Sequence, residues 1–270
     1  MKKMAITAAF VALFTANTQA DTVGLYWGGQ VWQSNTSGVL GESNDLIDFT
    51  STKAQQVNFF VAIVHPFPIL PNVRFSNTAL DSTGSNTLTQ AVNFGGETFA
   101  VGDLVNTRVN ISYIDYTLYY ELFDNNLFSF DLGLTARDFK GDVTVTGSPV
   151  LDKNCSTSIG SGTPACDKKL VTPTGKIKTD EMVPMLYAAT NINLPVKGVG
   201  LFAQGVFLSV GDHSLYDYEV GLSYHLAYIS KLAVELSLGY RAVNMQFEEL
   251  NNLYTDLEFN GAFLGITAHF

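Results

Sequence analysis

Beyond its first twenty residues the chain has no long apolar run. A helix that crosses a bilayer needs about 18–20 predominantly apolar residues in succession, and every later run is broken by polar or charged side chains. A helical membrane protein is therefore excluded. Charge is also scarce, at 15% of residues against about 25% in average usage, although 46% are apolar. A basic excess is missing too. The formal net charge of −10 argues against nucleic acid as a partner. Cysteine is limited to Cys155 and Cys166, with no further Cys or His close by to complete a metal site. The sequence implies no cofactor.

What is present begins with Lys2 and Lys3, an apolar run from Ala5 to Phe14, and the small and polar residues up to Ala20. That order is expected of a secretory signal cleaved after Ala20. Residues 21–270 would then form one domain, more acidic by the loss of Lys2 and Lys3. In an exported chain Cys155 and Cys166 are expected to form a local disulfide within a Ser-, Gly-, Thr- and Pro-rich segment.

An apolar composition without apolar runs is reconciled by alternation, because a membrane β-barrel needs lipid-facing side chains only at every second position. The clearest cases lie in the second half. Leu232, Val234, Leu236, Leu238, Tyr240 and Ala242 alternate with Ala233, Glu235, Ser237, Gly239 and Arg241. Tyr218, Val220, Leu222 and Tyr224 alternate with Asp217, Glu219, Gly221, Ser223 and His225. Ile114 to Leu122, Phe128 to Ala136 and Ala262 to Phe270 repeat the pattern, each near the 9–11 residues of a tilted membrane strand. The first strand sets Val23, Leu25, Trp27 and Val31 against Tyr26, Gln30 and Trp32. Residues 57–63 and 72–80 form the next two strands, with Arg74 turned inward, and residues 179–193 and 199–210 are strand-like.

Connections supply an independent signal. Residues 66–71, 124–126, 194–198 and 229–231 read as short turns, whereas 34–53, 81–106 and 141–176 read as long polar loops. Short and long alternate, as periplasmic turns and extracellular loops do in outer-membrane barrels. The fold expected is all-β: a transmembrane up-and-down antiparallel barrel of about ten strands, with eight or twelve as alternatives because residues 91–101 could add strand beyond the membrane. Both termini are expected on the periplasmic side.

Three motifs carry a resemblance: Trp27-Gly28-Gly29, the turn from His65 to Asn72, and Asn193-Leu194-Pro195-Val196-Lys197-Gly198. Together they resemble an outer-membrane barrel family of marine and related gammaproteobacteria, named for a Gly-Gly motif near the mature N-terminus. The resemblance implies fold and location and brings no catalytic residues. The terminal Ile266, Ala268 and Phe270 resemble the signal read by barrel-assembly machinery, with Phe270 at its end.

Charges on the inward faces form the candidate site: Arg74, Asp115, Glu121, Asp131, Arg137, Glu219, Glu235 and Arg241, with His225 and His269. Charges of both signs facing one small lumen should pair. They would either set the selectivity of a narrow, porin-like channel or plug it, and the plug is favoured for so few strands. Tyr26, Trp27, Trp32, Tyr116, Tyr120, Tyr218, Tyr224, Tyr228 and Tyr240 suit interfacial aromatic girdles. The competing reading is an outer-surface hydrolase of omptin type, using His213, beside Asp212 and Ser214, with loop carboxylates such as Asp81 and Asp103; adjacency in sequence is weak support for it. Lys168, Lys169, Lys176 and Lys178 are candidates for lipopolysaccharide phosphates, against the blander reading of a solvated loop. Outer-membrane lipid and lipopolysaccharide are the expected partners; oligomeric state is not encoded legibly.

Overall fold

Period-two alternation produces the same unit fifteen times. In the computed structural model the described residues are 23–42, 45–51, 53–67, 69–151, 170–211, 213–226, 232–250 and 253–270. They form β1 (Gly24–Glu42), β2 (Asp45–Thr50), β3 (Ala54–Val64), β4 (Asn72–Thr87), β5 (Val92–Phe94), β6 (Glu97–Phe99), β7 (Leu104–Asp124), β8 (Phe128–Thr146), β9 (Val150–Leu151), β10 (Leu170–Val171), β11 (Thr174–Asn193), β12 (Val199–Val210), β13 (His213–His225), β14 (Ala233–Leu250) and β15 (Leu253–His269). Each principal strand pairs antiparallel with its neighbour in sequence, and β15 pairs back with β1 from Tyr26↔His269 to Glu42↔Leu253. Because β2 and β3 occupy one position beside β1, the closed barrel has ten staves. Closure leaves no sheet edge along the seam, and Leu25 and Phe270 seal it by exchanging backbone hydrogen bonds of 3.3 and 3.0 Å.

The end that carries the termini is built from tight turns. Asn125 Oδ1 accepts the Leu127 and Phe128 amides at 2.9 Å each. The motif from His65 to Asn72 shapes another turn: the His65 amide donates to Asn72 Oδ1 at 3.1 Å, and Tyr120 donates its hydroxyl to the Ile69 carbonyl at 2.9 Å. The motif ending in Gly198 makes the third, with Gly198 at φ +78° accepting the His225 amide at 2.7 Å. Gly28 and Gly29 have a steric role. They sit opposite Phe60 and Phe59, and a Cβ on either would lie 2.6 Å from the first ring or 2.9 Å from the second, so both faces of β1 need glycine there.

At the opposite end the structure corrects the sequence reading. Residues 34–53 and 81–106, expected as long loops, consist largely of strand, and strand also enters 141–176 from both ends, residues 152–169 lying outside the described residues: β1 runs on to Glu42, β4 to Thr87, β7 starts at Leu104, β8 ends at Thr146 and β11 starts at Thr174. The physical reason is an exchange of polarity between the faces. On β7, Ile114, Tyr116, Leu118 and Tyr120 point outward and Asp115 and Thr117 inward; nearer the start of the strand, Asn106, Arg108 and Asn110 point outward and Val105, Val109 and Ile111 are buried inside. The apolar residues move from odd to even numbers between Tyr113 and Ile114 with no residue inserted. The same exchange occurs on β1, β4, β8, β14 and β15: Trp32 and Leu40, Leu80, Val143 and Val145, Met245 and Phe247, and Leu257 and Phe259 all face inward beyond the outward apolar belt.

The barrel is thus two stacked regions. One has a lipid-facing apolar exterior and a polar interior; the other, here called the head, has a polar exterior and an apolar core, as a water-soluble β-protein does. The hairpin β5–β6 closes the top of the head, with Val92, Phe94 and Phe99 completely buried. Asp45 Oδ2 accepts from the Asn93 amide and Nδ2 at 3.0 and 2.9 Å, and Glu42 Oε2 accepts from the Gly95 amide at 3.1 Å. Gly95, at φ +58°, meets the Gly175 backbone so closely that neither tolerates a side chain.

Candidate functional site

The inward charges of the membrane region concentrate just below the head. Arg137 on β8 has no solvent exposure and donates Nε and Nη2 to Asp115 of the adjacent β7 at 2.7 and 2.8 Å, the two-pronged geometry that suits a carboxylate. Its Nη2 also donates to Asp217 Oδ2 across the lumen at 2.9 Å. Asp217 on β13 is the hub. It accepts Arg241 Nε and Nη2 at 2.9 and 2.8 Å and the Tyr113 hydroxyl at 2.7 Å. Two guanidiniums and two carboxylates therefore form a neutral, buried group of four. Arg137 stacks on the Tyr113 ring at 3.7 Å and Arg241 lies 5.4 Å from the Trp32 ring. Glu219 extends the layer by accepting from Gln30 at 2.6 Å and from Gln204.

Of the expected lumen charges, Asp115, Arg137, Glu219 and Arg241 enter this layer. Arg74, Glu121, Asp131 and Glu235 do not. They line a cavity of about 460 Å³ on the termini side, together with Tyr119, Tyr187 and His225. Arg74 stacks over Phe60 at 3.7 Å rather than pairing with a carboxylate, and Glu235 meets His225 at 3.2 Å. His269 stacks on Tyr26 at 4.0 Å. The expected single network is thus a tight cluster plus a polar vestibule, because strand register sets Arg137 and Arg241 directly beside Asp115 and Glu219 but gives Arg74 only Thr117 and Ala62 as lateral neighbours. Sequence reasoning left Asp217 out of the site, although its inward parity and its place two residues before Glu219 were visible.

Other candidates fall elsewhere. Cys155, Cys166, Lys168, Lys169, Asp212 and Tyr228 lie outside the described residues, as do residues 1–22. Trp27, Tyr116, Tyr120, Tyr218, Tyr224 and Tyr240 are outward and well exposed, but Trp32 is buried in the interior and Tyr26 faces the vestibule, so neither belongs to a girdle. The His213 ring nitrogen Nδ1 accepts the Glu248 amide at 3.3 Å. Asp81 pairs with Arg108 at 3.6 Å on the outer face of the head, and Asp103 accepts the Ala100 amide at 2.8 Å. The structure does not bring His213 together with either carboxylate. Lys176 is neutralised by Asp142 at 2.7 Å. Among the described residues no group of three or more His, Cys, Asp or Glu is placed to hold a metal ion.

No family model and no curated protein matches the chain. Among solved structures it is similar to the outer membrane protease OmpT of Escherichia coli, at 10% identity and a TM-score of 0.43 over 95% of this chain and 98% of that one. It is also similar to a FadL homologue of Pseudomonas aeruginosa (9%, TM-score 0.40, 93% and 90% covered) and to the attachment protein Ail of Yersinia pestis (11%, 0.35, 93% and 100%). The chain is a closed antiparallel ten-stranded barrel.

Proposed function

We propose that this protein is a structural component of a Gram-negative outer membrane: a barrel closed to solute flow that holds a rigid head above the lipid. The observation that carries the reading is the double closure of the lumen. A neutral cluster of Asp115, Arg137, Asp217 and Arg241 bridges the interior at the level of the membrane, with a void of only about 50 Å³ beside it, and an apolar core with the β5–β6 hairpin occupies the head above it. Moving an ion through the second barrier would require taking it from water into an apolar core without compensating groups, which is prohibitive. The vestibule is therefore a blind recess. The short turns lie beside the termini and the long strands and hairpin lie opposite, an asymmetry that supports periplasmic termini and a head outside the cell.

Planar-bilayer recording tests this. Purified, folded protein should give no discrete current steps at either polarity; steps that appear reproducibly and scale with protein would replace the structural reading with the narrow-channel one. Hydrolase chemistry is not part of the proposal, since among the described residues the His213 ring is engaged by the Glu248 backbone and not by an acid; loss of peptide or lipid cleavage on His213→Ala would reinstate it. The role of Phe270 as an assembly signal belongs to the same proposal, and Phe270→Ala should slow insertion without changing the folded barrel.

A further inference from the structure

The wall has one discontinuity in its pairing. The β11–β12 ladder runs from Asn193↔Gly200 to Leu186↔Phe207 and stops, while β11 continues to Thr174, paired on its other side with β8. Among the described residues, 174–185 of β11 thus have no partner strand on the β12 side. Pro184 lies where the ladder ends, and a residue without an amide hydrogen suits an edge inside hydrocarbon, where an unpaired donor is costly. Here the surface holds a cleft of about 590 Å³ lined by Leu134, Pro184, Met185, Leu186, Phe207, Leu208, Ser209 and Tyr216. Leu134, Leu186, Phe207 and Tyr216 belong to the outward belt, so the cleft is continuous with the lipid interface; Met185 and Leu208 belong to inward-facing rows.

Polar residues mark the rim. Asp138 stands opposite Met182, and Lys140 opposite Asp180. Lys140 lies four residues beyond Ala136, about 13 Å along the strand, and among the described residues makes only a long 3.7 Å pair with the half-buried Asp138. Lys178 is two residues past Asp180 on the same outward face.

We propose that this cleft holds an acyl chain of lipopolysaccharide, with its phosphates under Lys140 and Lys178. The shape and chemistry of the cleft accept hydrocarbon, its place in the belt supplies hydrocarbon, and the cations above it favour an anionic head group. The inference rests on the proposed orientation, which puts the cleft in the outer leaflet.

The test compares thermal unfolding of the full-length protein in detergent with lipid A-core lipopolysaccharide and with phosphatidylglycerol of matched tails. Lipopolysaccharide should raise the Tm by about 5 °C more than phosphatidylglycerol. Leu208→Trp, which fills the cleft, should abolish the difference; Leu222→Trp on the open belt should keep it. If Leu208→Trp does not fold, Ser209→Trp fills the cleft from its rim. Equal shifts from the two lipids, or a difference that survives filling, would overturn the proposal; so would a shift that tracks dimer formation, which would assign the free β11 edge to a second copy. Orientation is read separately, by protease cleavage in intact cells at a site inserted after Gly211. Cleavage there with no lipid preference sinks the cleft alone, and protection sinks the orientation first.

Discussion

Removing the Arg137 side chain should destabilise the barrel more than almost any other single change, and removing its partner as well should undo much of that loss. Arg137 is completely buried and satisfies both oxygens of Asp115 and one oxygen of Asp217. Arg137→Met keeps the aliphatic volume but leaves two carboxylates facing one guanidinium, an uncompensated buried charge that costs about 3–5 kcal/mol. Adding Asp115→Asn restores neutrality, leaving Arg241 and Asp217 as a complete pair at 2.8 Å. Replacing a buried ion pair by uncharged groups is often close to neutral, so the double variant should recover more than half of the loss. Urea unfolding in lipid vesicles, followed by tryptophan fluorescence and by the mobility of folded barrels on gels, gives the four free energies of the cycle. If Arg137→Met costs under about 1 kcal/mol, the cluster is hydrated and screened like a surface pair, and the argument for a closed polar layer fails. The double variant adds a further check: it should remain silent in planar bilayers, because the apolar head still blocks the lumen.

Three other outcomes follow from the same arrangement. Phe94→Ala, at a completely buried site under the hairpin, should cost about 3–5 kcal/mol of head stability, seen as new protease sensitivity near residue 95 while the membrane region stays folded. Gly175→Ala should undock the same hairpin by overpacking against the Phe94 carbonyl, with a cost of about 1–3 kcal/mol and the same proteolytic signature. An arginine scan along the outside should divide the strands: Leu222→Arg in the belt should cost about 2–4 kcal/mol in lipid vesicles, and Gln33→Arg on the head should cost about nothing. Equal penalties at the two positions would contradict the assignment of the belt.

The membrane region was legible because its alternation is uninterrupted: residues 217–225, 233–242 and 262–270 carry apolar side chains at every outward position, and the tight turns announce themselves through Asn125 and Gly198. The head was not, for a definite reason. Once the outward face meets water, Asn106, Arg108 and Asn110 occupy the positions that Tyr116 and Leu118 occupy lower down, and a reader following the apolar face sees it vanish into Gly-, Ser-, Thr- and Asn-rich chain. The signal that would have found the head is the exchange of parity itself, as from Val109, Ile111 and Tyr113 to Ile114, Tyr116 and Leu118, with the strand rhythm preserved. Of the site, the inward charges were visible as a set. Which of them meet depends on register between strands and on reach across the lumen, so the pairing of Arg137 with both Asp115 and Asp217, more than a hundred residues apart, could not be read from period two.

Site-directed spin labelling along one face of β1 gives the most direct test of the inverted polarity. Labels at Val31, Gln33 and Asn35, all outward, should pass from access by oxygen, which dissolves in hydrocarbon, to access by a water-soluble nickel chelate between the first and the last. Labels that all remain in hydrocarbon would extend the membrane belt into the head and contradict the two-region account.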